Sequence, residues 1–204
     1  MLVAQRPAGT HLAGGWEFPG GKIESGETRL EGLTRELEEE IGIKLLAAHP
    51  LIRLRHAYAD RDIDLDVWAA TAFEGSPTGL EGQELRWCTP EDLTSANLLP
   101  ADRPVVTSLI LPECIAAERG QRYIVGTGPA HAGQFRGCFC ADSAEAAAAV
   151  AGGADFLLVS PTLDSPSIVV LTAELNVPVY VRDVSPEVAW ACGASGVHTL
   201  GRAM

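Results

Sequence analysis

Residues 20–43 read GGKIESGETRLEGLTRELEEEIGI. Thr28, followed three residues later by Glu31, has the form of a capping box, so the stretch predicts a helix that starts near Arg29 and stops at Gly42. Leu30, Leu33, Leu37 and Ile41 recur at spacings of three and four and predict its buried stripe. At about 100° per residue, Glu36, Glu39 and Glu40 then fall together on the flank beside that stripe. Carboxylates so placed repel one another. On an arbitrary Glu-rich helix they would form a solvated face; here the helix is preceded by adjacent glycines, Gly20 and Gly21, and by a further acid, Glu27. Glycines let a loop turn tightly and approach a helix closely. Carboxylates clustered on one rigid face supply the oxygen ligands that a hard divalent cation takes, with water and substrate phosphates completing the shell.

The rest of the composition sets bounds around this stretch. With 204 residues, 47% of them apolar, and 21 Gly and 13 Pro spread along the chain, the sequence predicts globular protein in one or two modest domains. A formal charge of −12 argues against a duplex nucleic-acid partner, which needs basic patches. It leaves room for polyphosphate if divalent cations mediate the contact. The sequence holds no apolar run long enough to cross a membrane, and residues 1–6 are too short before their first polar break for a signal peptide, so a cytoplasmic protein without a membrane partner is expected. The five cysteines are odd in number and free of any CxxC pair, which speaks against a disulfide framework or a zinc site. Cys138 and Cys140 fall on one face of an expected strand. Residues 1–112 mix Trp, Arg, Glu and Gly with strand-like runs at 51–55 and 65–73, whereas residues 118–204 are Ala/Val/Gly-rich with a strand, helix, strand rhythm. The boundary is expected in residues 111–120, where Pro112 and Gly120 bracket a short helical piece.

Gly21, Glu27, Arg35-Glu36-Leu37, Glu39-Glu40 and Gly42-Ile43 stand at every fixed position of the Nudix box, G-x5-E-x7-R-E-U-x-E-E-x-G-U, where U is a bulky aliphatic. The chain thus resembles the Nudix hydrolases. That resemblance implies an α/β/α sandwich with a mixed sheet, which hydrolyses nucleoside diphosphates linked to a further group. It implies Glu36, Glu39 and Glu40 as metal ligands together with Gly20, Glu27 as a supporting acid, and Arg35 as the residue that orients the carboxylates. The metal would be Mg²⁺, with Mn²⁺ as the alternative. A loop acid well after the box is expected to complete the ligands and the catalytic set, and the register lands on Glu81, with Glu84 as its competitor.

Flanking sequence narrows the substrate. Residues 4–7 (AQRP), 16–22 (WEFPGGK), 57–63 (AYADRDI), 81–87 (EGQELRW) and 99–104 (LPADRP) resemble the MutT-type 8-oxo-dGTP diphosphatases over roughly 110 residues. The resemblance implies that Arg6 and Lys22 contact substrate, Arg6 at a phosphate, and that Tyr58 and Arg61 sit near the purine. On the residues alone, Arg61 equally suits a surface pair with Asp60 or Asp62, and Tyr58 a core position. Asp102 stands where those enzymes commonly hold an Asn that reads guanine. A carboxylate there accepts from the N1–H and N2–H₂ donors but loses the amide's ability to donate. A second departure is the N-terminus: only residues 1–4 precede Gln5, so the first strand of the sheet is expected to be missing, leaving ladder groups unpaired.

In the second half, residues 156–160, 177–181 and 196–200 read as buried parallel strands. Asp142 and Ser185-Pro186 announce helices. Residues 140–145 (CADSAE), 153–162 (GADFLLVSPT) and 193–197 (GASGV) resemble the later strands of thiamine-phosphate synthase, a TIM barrel. A closed barrel needs about 200 residues, so the expectation is a truncated, partial barrel of three or four strands. Three functions follow: hydrolysis of 8-oxo-dGTP to the monophosphate and pyrophosphate for nucleotide-pool sanitation, Nudix hydrolysis of another pyrophosphate such as a thiamine-related one, or a non-catalytic binding remnant.

Overall fold

Residues 2–5, expected to be too few for a strand, form one and are paired on both sides. The computed structural model describes residues 1–115, 122–126 and 133–198. It divides into two compact units, Met1–His49 with Ala69–Val106, and Pro50–Trp68 with Thr107–Met204. Along the first run β1 (Leu2–Gln5), β2 (Trp16–Glu17), α1 (Arg29–Ile41), β3 (Lys44–Ala57), β4 (Asp62–Glu74), β5 (Leu85–Trp87), α2 (Pro90–Ser95), a 3₁₀ turn (Pro100–Asp102) and α3 (Arg103–Ile110).

β1 lies between β2 and β5, antiparallel to both. Its ends are tied as well: the Cys88 N–H donates to the Met1 carbonyl at 2.8 Å and the Gln5 N–H to the Glu84 carbonyl at 2.8 Å. Val3 and Ala4 are buried. Four residues suffice because their main-chain groups are used on both edges, which corrects the expectation of a missing first strand. The bridge from Trp16 to Leu98, with the Leu99 N–H donating to the Trp16 carbonyl at 2.9 Å, sets the 3₁₀ turn beside β2.

α1 has the limits its sequence predicts. Thr28 and Glu31 close the capping box, and Gly42 ends the helix at φ +69°, a left-handed conformation that glycine adopts without strain. Leu37, Ile41 and Ile43 are buried in one cluster with the partly buried Leu2, Leu33, Leu45 and Leu85, so the helix packs on β1, β3 and β5. Leu30 departs from the expected stripe and is 42% exposed. It lies in the first turn, where a helical side chain leans toward the N-terminal end and away from that cluster. The strand-like runs at 51–55 and 65–73 are parts of one long hairpin, β3–β4, whose turn is closed by the Tyr58 N–H on the Arg61 carbonyl at 2.8 Å.

The second unit contains β6 (Cys114–Ile115), β7 (Tyr123–Val125), β8 (Phe135–Cys140), α4 (Ser143–Ala151), β9 (Phe156–Val159), α5 (Ser165–Glu174), β10 (Val179–Arg182), α6 (Pro186–Ala191) and β11 (Gly196–His198). Its strands form a six-stranded sheet in the order β6-β11-β10-β9-β8-β7. The described pairings are parallel, and β9 is buried along its whole length. Phe156 meets Tyr123 and Tyr180 edge to face, with ring centres 6.1 and 5.7 Å apart. Six strands replace the expected three or four. β7 is too short to show a period, and Cys114–Ile115, read as part of a helical piece, is drawn into the sheet beside β11. The remainder of that piece, residues 116–120, and the expected end of β11 at 199–200 lie outside the described residues. The outer part of the β3–β4 hairpin belongs to this unit, where Asn176 Oδ1 accepts from the Arg55 N–H at 2.9 Å.

The capping box gives a first test. Thr28→Ala removes the acceptor for the Glu31 N–H and the hydroxyl that orients the Glu31 carboxylate. A loss of about 1 kcal/mol is expected in urea unfolding followed by circular dichroism.

Candidate active site

Helix α1 offers its acids to a cavity of about 220 Å³, lined by Gln5, Arg6, Glu17, Gly20, Glu36, Glu39, Glu40, Glu81 and Gln83 among others. Three of the acids come from one helix face, one from β2 and one from the loop before β5. Glu84, the alternative to Glu81, instead stands 3.5 Å from Arg86.

Repulsion among these carboxylates is answered by Arg35. Its Nε donates to Glu27 Oε1 at 2.8 Å and its Nη2 to Glu27 Oε2 at 3.0 Å, a two-pronged pair. Nη1 reaches Glu36 at 2.9 Å and Glu39 at 3.2 Å, while Nη2 also holds the Lys22 carbonyl at 2.9 Å. The half-buried Glu27 carboxyl is lowered to about 2, first by its Arg35 hydrogen bonds and then by a backbone N–H. Gly21 sits where a Cβ would overlap the Glu36 carboxylate, so no larger residue fits while that acid keeps its place. Glu40 Oε2 accepts from the Gly20 N–H at 2.9 Å. Burial pushes the Glu40 carboxyl up, with Glu17 and Glu81 adding repulsion.

Among the described residues no three His, Cys, Asp or Glu side chains are drawn together closely enough to enclose a metal ion. Glu36 and Glu39 are turned onto Arg35, and Glu40 onto Gly20. The donor set nevertheless suits a hard divalent cation: it consists of carboxylate oxygens on one cavity wall, and the Gly21 contact leaves that wall free of side-chain bulk.

Glu17 and Gln83, to which the sequence reading gives no role, hold other residues of the cavity in place. Glu17 takes both its oxygens to Arg6 Nη1, at 2.9 and 2.8 Å, while Arg6 Nε donates to the His11 carbonyl at 2.6 Å. Gln83, only 8% exposed, accepts from the Glu81 N–H at 2.9 Å and donates to the Glu40 carbonyl at 3.0 Å, so it clamps the Glu81 loop to the end of α1. A signal for Glu17 was its alternation with buried Trp16 on a short strand; for Gln83 no local signal existed. Asp102 is 7% exposed at the end of its 3₁₀ turn, and the charges acting on it are Glu17 and Arg6. The cavity lining does not include Asp102, nor the side chains of Lys22, Tyr58 or Arg61. Lys22 is exposed and contributes its carbonyl to Arg35, while Tyr58 and Arg61 form the hairpin turn within the second unit.

Against this geometry, a family model described as the NUDIX domain matches residues 1–108. The chain belongs to the NUDIX family. It is 38% identical over 110 residues to a CTP pyrophosphohydrolase of Escherichia coli (strain K12), covering 54% of this chain and 82% of that protein. It is also 38% identical over 109 residues to the 8-oxo-dGTP diphosphatase of the same organism, covering 53% and 84%. Among solved structures, the crystal structure of the MutT NUDIX hydrolase from Burkholderia pseudomallei aligns with a TM-score of 0.50 at 32% identity, over 54% of this chain and 87% of that one. The mixed α/β fold of the N-terminal half is thus a NUDIX fold, in a family whose chemistry depends on divalent cations.

The NUDIX unit carries a testable pH dependence at Asp102. Burial, with repulsion from Glu17, raises its carboxyl to about 7 from an ordinary 3.8. Below the lower value folded and unfolded chains both hold the proton. Between the two, only the folded chain holds it, so stability falls as pH rises, and the penalty is complete above the upper value. Asp102→Asn is therefore expected to be more stable than the parent at about pH 8 by on the order of a few kcal/mol, a gap that narrows toward about pH 5. Urea unfolding of both proteins at the two pH values checks this; a gap that widens on acidification contradicts it.

Proposed function

We propose that the chain hydrolyses a nucleoside triphosphate to its monophosphate and pyrophosphate, with an oxidised guanine nucleotide of the 8-oxo-dGTP type as substrate, and so sanitises the nucleotide pool. The observation that carries the reading is the cavity in which Glu36, Glu39, Glu40 and Glu81 face the same space as Arg6. Mg²⁺, or Mn²⁺ in its place, would be held by Glu36, Glu39, Glu40, Glu81 and the Gly20 carbonyl, and when bound would offset the charge of the triphosphate. Arg35 keeps the acids of α1 from spreading. Arg6, with Nη1 and Nε engaged, offers Nη2 to a phosphate oxygen. Glu81 takes a proton from water as the water oxygen bonds to phosphorus and the bond to the leaving group breaks. Gln83 fixes the Glu81 main chain while this happens. Asp102 reads the base.

Equal identity to a CTP pyrophosphohydrolase and to an 8-oxo-dGTP diphosphatase supports a second reading, in which a cytosine nucleotide is also turned over. Residues 118–204 we read as a thiamine-phosphate-synthase-like domain without synthase activity. β10 ends and its loop begins with Arg182-Asp183-Val184, with no glycine pair to bring backbone N–H groups to a phosphate and an acid where an anion would sit.

Pyrophosphate release from 8-oxo-dGTP in millimolar-range Mg²⁺ is the direct assay. Glu39→Gln or Glu40→Gln is expected to lower kcat/KM by roughly two orders of magnitude or more, since each removes a ligand charge. Parental rates in either variant at saturating Mg²⁺ would take these residues out of the site.

A further inference from the structure

The loop that brings Glu81 to the cavity is wound around the side chain of Gln83, and both residues line that cavity. Three donors of the loop answer carbonyls that α1 leaves open at its C-terminal end. The Thr78 N–H reaches the Ile41 carbonyl at 2.9 Å, and the Leu80 N–H and Gln83 Nε2 both reach the Glu40 carbonyl at 3.0 Å. Through Oε1 the same amide accepts the Glu81 N–H at 2.9 Å. Only this orientation of the amide serves both partners, since the Glu81 N–H needs an acceptor and the Glu40 carbonyl a donor. Nε2 also lies 3.5 Å from Glu40 Oε1, while Glu40 Oε2 accepts from the Gly20 N–H. The packing holds the amide in place: Gln83 is 8% exposed, and a Cβ on Gly79 would overlap its carbonyl and crowd its Oε1.

The acids of the cavity are thus held in two ways. Glu17 is engaged by Arg6, and Glu36 and Glu39 by Arg35. Glu40 is held by neutral N–H groups, and Glu81 is placed through its main chain. A neutral donor leaves the charge of a carboxylate uncompensated and its other lone pairs open, whereas an arginine partner has to be shared with an incoming cation. We propose that Gln83 is a positioning residue of the site: its amide sets Glu81 in register with Glu40, so that these two carboxylates reach one cation together. The inference rests on the hydrolytic reading above and adds to it the residue that assembles the pair. The Gln83 amide is engaged with the main chain and with Glu40, so it acts through the two acids and not on the nucleotide. Removing such an outer partner of metal-holding groups lowers metal affinity or activity by roughly ten- to a hundredfold.

The test uses two substitutions on the full chain. Gln83→Met keeps the length of the side chain and removes every hydrogen bond of the amide. Gln83→Glu keeps an acceptor for the Glu81 N–H but sets a carboxylate against the Glu40 carbonyl and carboxylate. Each is expected to weaken Mn²⁺ binding without nucleotide, read from the electron paramagnetic resonance signal of free Mn²⁺, by roughly tenfold. Each is also expected to lower kcat for 8-oxo-dGTP by roughly tenfold with KM little changed. The deciding comparison is a double-mutant cycle with Glu81→Gln. Because Gln83 acts through Glu81, most of the Mn²⁺ loss caused by Gln83→Met is expected to vanish in the Glu81→Gln background, while its effect on urea unfolding is the same in both. Gln83→Glu carries the same cycle where Gln83→Met is recovered unfolded. Unchanged Mn²⁺ affinity beside lowered stability, or a Mn²⁺ loss as large in Glu81→Gln as in the parent, overturns the proposal. Coupled Mn²⁺ binding in a chain that releases no pyrophosphate from 8-oxo-dGTP keeps the inference and removes the hydrolytic reading, whereas pyrophosphate release with additive losses does the reverse.

Discussion

The first unit is organised around one guanidinium. Arg35 touches Glu27, Glu36, Glu39 and the Lys22 carbonyl, so the helix, its preceding loop and its acids meet at a single planar cation. Clustered acids on a helix face raise its energy through like-charge repulsion, and a fork of donors at fixed angles is suited to several carboxylates in a way that a lysine ammonium is not. The pair with Glu27 also closes the glycine loop against α1, which lets Gly21 lie on the Glu36 carboxylate. The spacing of the acids in sequence and the glycines before them are therefore two sides of one constraint: a charged helix face can be kept near a main chain only if a cation is shared and a side chain is omitted.

Everything else in the cavity is held by weaker, more distributed contacts. Gln83 ties the Glu81 loop to the last carbonyls of α1, and Gly20 donates to Glu40. Arg6 is oriented by Glu17 and by the His11 carbonyl. These contacts connect β1, β2, α1 and the loop before β5, the same elements that share the apolar cluster around Leu37 and Ile41. Packing and site geometry thus depend on the same short sheet, whose central strand is only four residues long.

What was legible in the sequence was local and periodic. Thr28, Glu31 and Gly42 mark the limits of α1 through short-range hydrogen bonds, and Glu36, Glu39 and Glu40 share a face by helical geometry alone. What escaped depends on partners distant in the chain. The strand at residues 2–5 exists because residues 16–17 and 85–87 pair with it, a fact no window of four residues contains. Cys114–Ile115 is a strand for the same reason, because β11, more than eighty residues later, accepts it. Glu17 and Gln83 carry no motif, and their roles appear only once Arg6 and Glu81 are placed beside them. Leu30 follows the helical period but falls in a turn that the apolar cluster does not reach.

The charge balance of the cavity decides how an acidic protein can take a polyphosphate. Its acids are Glu17, Glu36, Glu39, Glu40 and Glu81, and its one arginine, Arg6, already has a guanidinium nitrogen committed to Glu17. Arg35 is spent in the same manner on Glu27, Glu36 and Glu39. A triphosphate brought to this wall alone meets like charge in a recess where screening is weaker than in bulk water. Attraction must therefore arrive with an added divalent cation, which carboxylate oxygens and phosphate oxygens can share. Burial, with repulsion from Glu17, pushes two acids toward protonation, Glu40 and Asp102. Glu40 retains the Gly20 N–H and Gln83 as partners that oppose the shift, whereas Asp102 has only the coulombic pull of Arg6 against burial and Glu17. Asp102 is thus the raised acid with least support, and it stands outside the lining of the cavity that holds the acids of α1.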